Sequence, residues 1–232
     1  GAVVRLVMED EEEGLSYVAF CDLNEENAGE AITRQVAYFQ DLKRGFEWTH
    51  YDHDLPAGLG ARLIAMGFKP EETGALMALE LAEAPPRLLA PITTDVRQVS
   101  DISQLETVRG LLEAVWEDEF AWFIPRMSRY LEPEGYVSIY MAYIDGNPAS
   151  AAWAFYPEGS RFVGLFGGTT LEAYRGRGLY TALMAARAQE AIRRGRKFLF
   201  IDAGEMSRPI VERQGFSLLT ETTPYMWNQE KT

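Results

Sequence analysis

Three apolar segments separated by two tight turns lie in the C-terminal half of the chain. The turn Asp-Gly-Asn-Pro at 145–148 separates the segments 137–144 and 149–155, and a second turn at 157–160 precedes a segment from Phe162 to about Leu171. Turn residues between apolar runs of this length are typical of β-hairpins. We therefore predict three consecutive antiparallel strands, which require a sheet-based fold.

Further periodic segments flank these three strands. In chain order, we predict a strand at 95–99, helices at about 102–117 and 121–131, the three strands, a helix ending at about 194, a strand at 197–201, a short helix at about 209–214, and one or two strands interrupted by Pro224. This order predicts an α/β (α+β) fold, with a mixed, mostly antiparallel sheet flanked by helices.

A proline-marked junction at 84–91 divides the chain into an expected N-terminal unit, 1–90, and a C-terminal domain, 91–232. The segments 43–52 and 193–202 are alike, since each has a basic pair, a glycine, a predicted strand and an Asp seven residues after the glycine. A smaller related α/β unit at the N-terminus would explain this likeness. The Gly-Phe pairs that follow later in both copies are also a common helix cap, so the repeat remains one of two interpretations.

Charge and cysteine content exclude several classes of protein. The net charge of −13 repels phosphate backbones, so we expect no nucleic acid as partner and favour a cationic substrate. The sequence contains no apolar run of eighteen residues, and we expect no membrane insertion. The single cysteine, Cys21, is typical of a reducing compartment, and we expect a cytoplasmic protein.

Basic residues are concentrated around one predicted helix, between 174 and 197. Arg175 and Arg177 precede this helix, at the end that the helix dipole makes positive, where cations are unfavourable unless an anion lies beside them. Gly176 and Gly178 permit a tight turn, and the first amides of a helix have no partner within it. The segment 175–181 therefore predicts a phosphate-binding nest. A simple helix-entry turn explains the same residues, and the pattern alone leaves both interpretations open.

The stretch 168–179 resembles the acyl-CoA signature of the GNAT superfamily of N-acetyltransferases, Arg/Gln-x-x-Gly-x-Gly/Ala after a strand. Arg175 and Gly178 match this motif, whereas Tyr180 occupies its last, usually small position. The order of elements from Val96 to Trp227 is similar to the fold of that family. The resemblance implies acetyl-CoA as co-substrate and direct transfer of its acyl group to an amine of a small molecule or peptide.

The resemblance also implies which residues bind acyl-CoA and where two strands diverge, at the end of Phe162–Leu171 against 197–201. The expected cofactor-binding residues are Thr169, Leu171, Arg175, Gly176, Arg177, Gly178, Leu179, Tyr180, Thr181 and Ser207. A strand amide around Leu171 would stabilise the oxyanion of the tetrahedral intermediate. A monomer and a homodimer are both compatible with the sequence.

The catalytic residues are less well defined by the resemblance. The tyrosine that often protonates the leaving thiolate is replaced by Val211, so Tyr180 and Tyr225 are alternative acids, although Tyr180 could equally pack against the sheet. Candidate bases that would deprotonate the amine are Glu119, Glu172, Asp202 and Glu205, of which we select Glu205. Because the usual acid is missing, a non-catalytic acyl-CoA-binding or regulatory module is the alternative function.

Two other segments carry chemically interesting residues. The aromatic and acidic run 116–123 fits either an amine-binding surface or a core-facing aromatic stripe with exposed acids. The segment 50–54 has metal-ligand residue types, but Asp54 is a natural helix cap there, so we expect no metal site.

Overall fold

The computed structural model describes residues 2–8, 14–131 and 135–228. The strands, in chain order, are β1 (Val3–Leu6), β2 (Ser16–Cys21), β3 (Phe46–Tyr51), β4 (Lys69–Pro70), β5 (Gly74–Glu80), β6 (Asp95–Gln98), β7 (Val137–Ile144), β8 (Asn147–Phe155), β9 (Phe162–Thr170), β10 (Phe198–Ala203) and β11 (Ser217–Trp227). The helices are α1 (Ala28–Asp41), α2 (Leu59–Ala65), α3 (Pro86–Leu89), α4 (Leu105–Trp116), α5 (Phe123–Leu131), α6 (Leu179–Arg193) and α7 (Arg208–Arg213).

The chain divides into two compact units, one of residues 1–76 with 218–232 and one of residues 77–217. In the second unit the strand order is β5-β10-β9-β8-β7-β6. The pairs β6–β7, β7–β8 and β8–β9 are antiparallel, and β9–β10 is parallel. This confirms the predicted mixed, mostly antiparallel sheet and its succession of strands and helices.

Side chains of β7 alternate between two cores in the second unit. Ile139 and Met141 pack with residues of α4 and α5, whereas Tyr140 and Ala142 pack with residues of α6. Because successive side chains of a strand point to opposite faces, α4 and α5 cover one face of the sheet and α6 covers the other. Helix α6 also contacts α3, because the side-chain amide of Gln189 donates hydrogen bonds to the carbonyl oxygens of Leu88 and Ala90.

The first unit contains a smaller sheet in which β2 and β3 are parallel, β1 pairs with β2, and β11 pairs with β3 and β4. Its core includes Phe39 of α1, which stacks on Phe46 of β3 with ring centroids 4.1 Å apart. The sequence β2-α1-β3-α2 thus matches β9-α6-β10-α7 of the second unit in kind and order. The expected division at residue 90 remains a proposal, whereas the compact units divide at 76/77 and residues 218–232 belong to the first unit.

Pro224 does not interrupt the last strand as expected, because β11 continues through it to Trp227. The carbonyl oxygen of Pro224 accepts a hydrogen bond from the amide of Glu71, 2.8 Å away. A strand residue directs its N–H and C=O to the same neighbour, so the missing proline N–H faces this short edge and not β3.

Two further sequence expectations meet the structure here. Asp54 is not a helix cap, because its carboxylate accepts a hydrogen bond from the amide of Tyr51 and α2 begins only at Leu59. None of the helices in the described ranges is long and apolar enough to cross a membrane.

Candidate functional site

Strands β9 and β10 diverge after a short stretch of pairing. Their parallel ladder joins Phe162–Gly164 to Phe198–Phe200, and within the described chain it ends there, although β9 continues to Thr170 and β10 to Ala203. The remainder of β9 therefore presents an edge to the space left by β10. This is the divergence that the sequence predicted for these two strands.

The open edge begins beside a bulge in β9. Ala151 pairs with Thr169 and Trp153 pairs with Phe166, so Gly167 and Gly168 together oppose a single residue of β8. Gly167 has a φ of 65°, and a Cβ placed on it would lie 1.8 Å from the indole ring of Trp153. No other residue type fits this position, so the sequence fixes the bulge through an aromatic ring on the neighbouring strand.

Thr170, rather than Leu171, presents its amide to the open edge. The amide of Leu171 donates to the carbonyl oxygen of Ala149, 3.0 Å away on β8, so the oxyanion donor expected at Leu171 is engaged by the sheet. Successive backbone amides in a strand point to opposite edges, so the N–H of Thr170 faces away from β8. The carbonyl oxygen of Thr170 faces the same way, because it accepts a hydrogen bond from Nε of Arg175 at 3.3 Å.

The predicted nest lies directly after β9. Gly176 and Gly178 have φ values of 75° and 79°, and Gly178 is the N-cap of the fifteen-residue helix α6. Residues 175–178 are exposed. Across the described ranges, the amides of residues 177–181 donate no hydrogen bond to a backbone carbonyl, and the first such bond in α6 runs from Ala182 to Gly178. The positive end of the helix dipole and these amides therefore face solvent at this turn, which is the arrangement that a nest requires.

Arg175 and Arg177 are the bases that remain exposed beside this nest. The guanidinium of Arg177 lies 5.4 Å from the ring centroid of Tyr174. Other bases of the same stretch have structural partners, since Arg194 pairs with Glu190 and Arg196 donates to the carbonyl oxygen of Ser160. Of the bases in this stretch, Arg175 and Arg177 are therefore the two that lie exposed beside the nest.

Gln214 supports the first turn of α6, and the sequence analysis did not identify this residue. Its buried side-chain amide donates to Oγ1 of Thr181 at 3.0 Å, and its oxygen accepts a hydrogen bond from Nε of Arg87 at 2.9 Å. Gln214 follows α7 and therefore connects that helix to the nest. The glutamine next to a Gly-Phe pair was the sequence feature that could have indicated this role. Its partners, Thr181 and Arg87, are distant in sequence, so the sequence did not reveal the contact.

Tyr180 packs against the sheet, in the second position of α6. A Cβ on Gly168 would lie 2.7 Å from its ring, so the strand has a glycine where the tyrosine approaches. Burial raises the pKa of Tyr180, and the nearby Arg187 guanidinium opposes that rise. Tyr180 is therefore protonated at neutral pH and contacts the edge strand close to the bulge.

The other predicted residues lie in different places. Thr169 is buried, and its carbonyl oxygen accepts a hydrogen bond from the hydroxyl of Ser150 at 2.5 Å, so its backbone carbonyl faces β8 and not the open edge. Ser207 is the N-cap of α7 and its hydroxyl donates to the carbonyl oxygen of Gly204, while Glu205 is exposed in the turn between β10 and α7. Tyr225 belongs to the first unit, with its hydroxyl beside Gly60.

The run 116–123 has its aromatic residues from 120 to 123 in or against the core and its acids at the surface, as the second interpretation expected. Phe123 is fully buried, and Phe120 and Trp122 pack against the same core as Leu171 at the end of β9. The acids between them face outwards and line an open cavity of about 540 Å³. Its lining residues are Arg109, Glu113, Glu117, Asp118, Glu119 and Ala121.

Comparison with known proteins points to one family. A sequence model described as the acetyltransferase (GNAT) family matches residues 101–216, half of the chain. A search of curated proteins finds no match.

Three solved structures illustrate the likeness of fold. A GCN5-related N-acetyltransferase from Kribbella flavida superposes with a TM-score of 0.75 at 17% identity, covering 97% of this chain and 86% of that one. A GCN5-related N-acetyltransferase from Sphaerobacter thermophilus gives 0.64 at 15% identity, covering 100% and 80%. A tandem GNAT protein from the clavulanic acid biosynthesis pathway gives 0.67 at 15% identity, covering 94% and 76%.

Proposed function

The chain belongs to the acetyltransferase (GNAT) family, and from that premise we propose that it is an N-acetyltransferase that moves the acetyl group of acetyl-CoA to an amine of a small molecule or peptide. The observation that carries the proposal is the exposed turn 175–178, where the amides of 177–181 point out of α6 beside two arginines. Backbone amides, a helix dipole and guanidinium groups in this arrangement suit the diphosphate of coenzyme A.

The open edge of β9 suits the other end of the same co-substrate. The N–H and C=O of Thr170 face that edge, so the C=O can accept a hydrogen bond from an extended amide-containing arm, as an added strand would provide, while the N–H is left for the reacting carbonyl. When bound, acetyl-CoA supplies a thioester, which is an activated acyl donor. In this arrangement the N–H of Thr170 replaces that of Leu171 as the donor that stabilises the oxyanion.

Two proton transfers remain for side chains. The amine must lose a proton before it can attack, because an alkylammonium with a pKa of about 10.4 is not a nucleophile. We assign this role to Glu205, which is exposed beyond the end of β10, either directly or through water. Tyr180 is the candidate that returns a proton to the leaving thiolate, since it is protonated and contacts β9.

The acidic cavity at 109–121 favours an acceptor with positive charge in addition to the reacting amine. Its lining includes Glu113, Glu117, Asp118 and Glu119 against Arg109. Carboxylates at such a surface attract cations and repel phosphate-rich acceptors. Diamines, amino sugars and basic peptides are therefore better candidates than nucleotides.

Thiol release tests the proposal. The protein is incubated with acetyl-CoA and a panel of mono-, di- and polyamines, and free coenzyme A is measured. We expect turnover with at least one amine, and a lower KM for amines with a second positive charge. No thiol release with any amine would refute an acetyltransferase.

Val211 supports one alternative, a non-catalytic acyl-CoA-binding or regulatory module. It is fully buried where a catalytic tyrosine often lies in the family that the sequence resembles. Calorimetry with coenzyme A separates the two functions, since binding without turnover indicates the module, and absence of binding rules out both.

We also propose that residues 1–90 are a degenerate GNAT-like repeat that no longer binds acyl-CoA. The segment that precedes α1, residues 23–27, is acidic and contains no arginine. The matching succession of elements in the two units and the likeness to a tandem GNAT protein support this origin. The calorimetric stoichiometry of the wild-type protein tests it, since we expect one coenzyme A per chain, and two would indicate a second site.

A further inference from the structure

Arg187 is buried completely within the second unit, on the face of α6 that contacts the sheet. Its exposed fraction is 1%, and its guanidinium donates to the carbonyl oxygens of Leu183, Trp153 and Phe166 at 3.1, 3.3 and 3.5 Å. Trp153 and Phe166 are the residues that pair immediately before the bulge in β9. The charge of Arg187 therefore lies beneath the edge strand, two residues from Gly168.

This guanidinium has no anionic partner in the part of the chain that the structure describes. Its Nη2 lacks any hydrogen-bond acceptor, and its other nitrogens contact only neutral carbonyl groups. Arg194 on the same helix is different, because it pairs with Glu190. An uncompensated buried charge is costly to the fold, and such groups are found where a reaction needs them.

Three tyrosines lie close enough for their charge to act on Arg187, namely Tyr140, Tyr156 and Tyr180. The hydroxyls of Tyr140 and Tyr156 both donate to Oε2 of Glu190, at 2.8 and 3.0 Å. Burial, followed by the charge of Glu190, raises the pKa of both, so they remain neutral under any assay condition. Tyr180, seven residues before Arg187 on α6, is the phenol of this group that is not tied to Glu190.

We infer that Arg187 is a positioning residue for catalysis, whose fixed charge stabilises the phenolate of Tyr180 formed during acyl transfer. This inference rests on the proposed function. The neutral amine attacks the thioester carbonyl and forms the C–N bond, and the tetrahedral intermediate then collapses as the C–S bond breaks and the sulfur takes the electron pair of that bond. The sulfur receives the proton of the Tyr180 hydroxyl, the amine loses its proton to Glu205 or water, and solvent then reprotonates Tyr180.

The location of Tyr180 makes this assistance necessary. Burial raises the pKa of Tyr180, which weakens it as an acid, and the Arg187 guanidinium opposes that effect. Burial also lowers the pKa of Arg187, but an arginine side chain remains charged in proteins. A permanent cation beneath the strand is thus paired with an anion that exists only during the reaction.

The test compares Tyr180→Phe, Arg187→Met and the double variant in steady-state kinetics. We expect kcat to fall about 100-fold for Tyr180→Phe and about tenfold for Arg187→Met, with the KM for acetyl-CoA little changed. The double variant should be no slower than Tyr180→Phe alone. Methionine preserves the side-chain length, and apolar replacement of buried ionic groups is often well tolerated. Arg193→Met, an exposed change of the same type on α6, is the matched control.

A spectroscopic titration measures the effect of Arg187 on the ionisation of Tyr180 without requiring turnover. The tyrosinate absorbance of the Tyr180→Phe counterpart is subtracted from that of each protein, which isolates the ionisation of Tyr180. We expect Arg187→Met to raise the pKa of Tyr180 and Arg187→Lys, which keeps the charge, to preserve it. The lysine variant also keeps the test informative if the methionine variant does not fold.

Several results would overturn the inference. One is a kcat of the double variant that falls by the product of the two single losses. The others are a pKa of Tyr180 that is unchanged in Arg187→Met, or a pKa in Arg187→Lys that is raised as much as in Arg187→Met. Wild-type activity in the presence of such results would leave the proposed function intact. A wild-type protein that releases no thiol would instead refute the proposed function, and the titration would still show whether Arg187 acts on Tyr180.

Discussion

Replacing Glu190 by alanine should destabilise the second unit more than any surface change of the same kind. Its buried carboxylate accepts hydrogen bonds from Ser138, Tyr140 and Tyr156 at 2.8, 2.8 and 3.0 Å, and from Nη2 of Arg194 at 2.6 Å. All four hydrogen bonds go to an ionised carboxylate, and at about 1.5 kcal/mol each, the lower end of the range for bonds to charged groups, they suggest a loss of about 6 kcal/mol. The uncompensated Arg194 adds to this cost, although it is only part-buried.

Chemical denaturation at neutral pH measures this loss, with Glu212→Ala as the matched control. Glu212 forms an i,i+4 ion pair with Arg208, as Glu190 does with Arg194, but it is about half exposed at 49%. We expect the control to lose no more than about 0.5 kcal/mol. A loss below about 1 kcal/mol for Glu190→Ala would show that the network does not stabilise the fold.

The pH dependence of a second variant, Glu190→Gln, gives an independent check. Burial opposes ionisation of Glu190, but hydrogen bonds from Tyr140 and Ser138 and the charge of Arg194 outweigh it and lower the pKa of this carboxyl. A lowered pKa means that the stabilisation is complete above the unfolded value of about 4.3 and is lost as the pH falls through the folded value. The difference in unfolding free energy between the wild type and Glu190→Gln should therefore shrink below about pH 4.

Three further predictions concern the site and the single cysteine. Gly167→Ala should cost at least about 2 kcal/mol in denaturation and weaken coenzyme A binding in calorimetry, because its Cβ would overlap Trp153 at a φ of 65°; unchanged stability would mean that the bulge relaxes easily. Arg175→Ala with Arg177→Ala should weaken coenzyme A binding about tenfold and reduce its salt dependence, whereas pantetheine, which lacks the diphosphate, should bind equally to both proteins. Burial, followed by the charge of Asp54, raises the pKa of Cys21 to about 12, so a thiol reagent at pH 8 should label it only after unfolding; fast labelling of the folded protein would contradict this.

Local pattern was sufficient for the succession of strands and helices and for the turn that enters α6. The turn residues at 145–148 and the glycines at 176 and 178 impose backbone conformations that depend on few distant contacts. The predicted strand 137–144 coincides with β7, and the exposed arginines at 175 and 177 lie beside the nest as expected.

Long-range partners determined what the sequence did not reveal. The engaged amide of Leu171 depends on the register with Ala149, and the burial of Arg187 depends on where α6 crosses β8 and β9. In the sequence, Arg187 was one of seven bases in an amphipathic stretch, and no local feature distinguished it from Arg193. Gln214 likewise acquires its role only when Thr181 and Arg87 are brought to it.

The contact between Gly168 and Tyr180 couples two positions that are twelve residues apart in the chain. Any side chain at position 168 would overlap the tyrosine ring, beginning with a Cβ at 2.7 Å. A substitution at 168 would therefore displace the ring of Tyr180, and an engineered change at either position has to be designed together with the other.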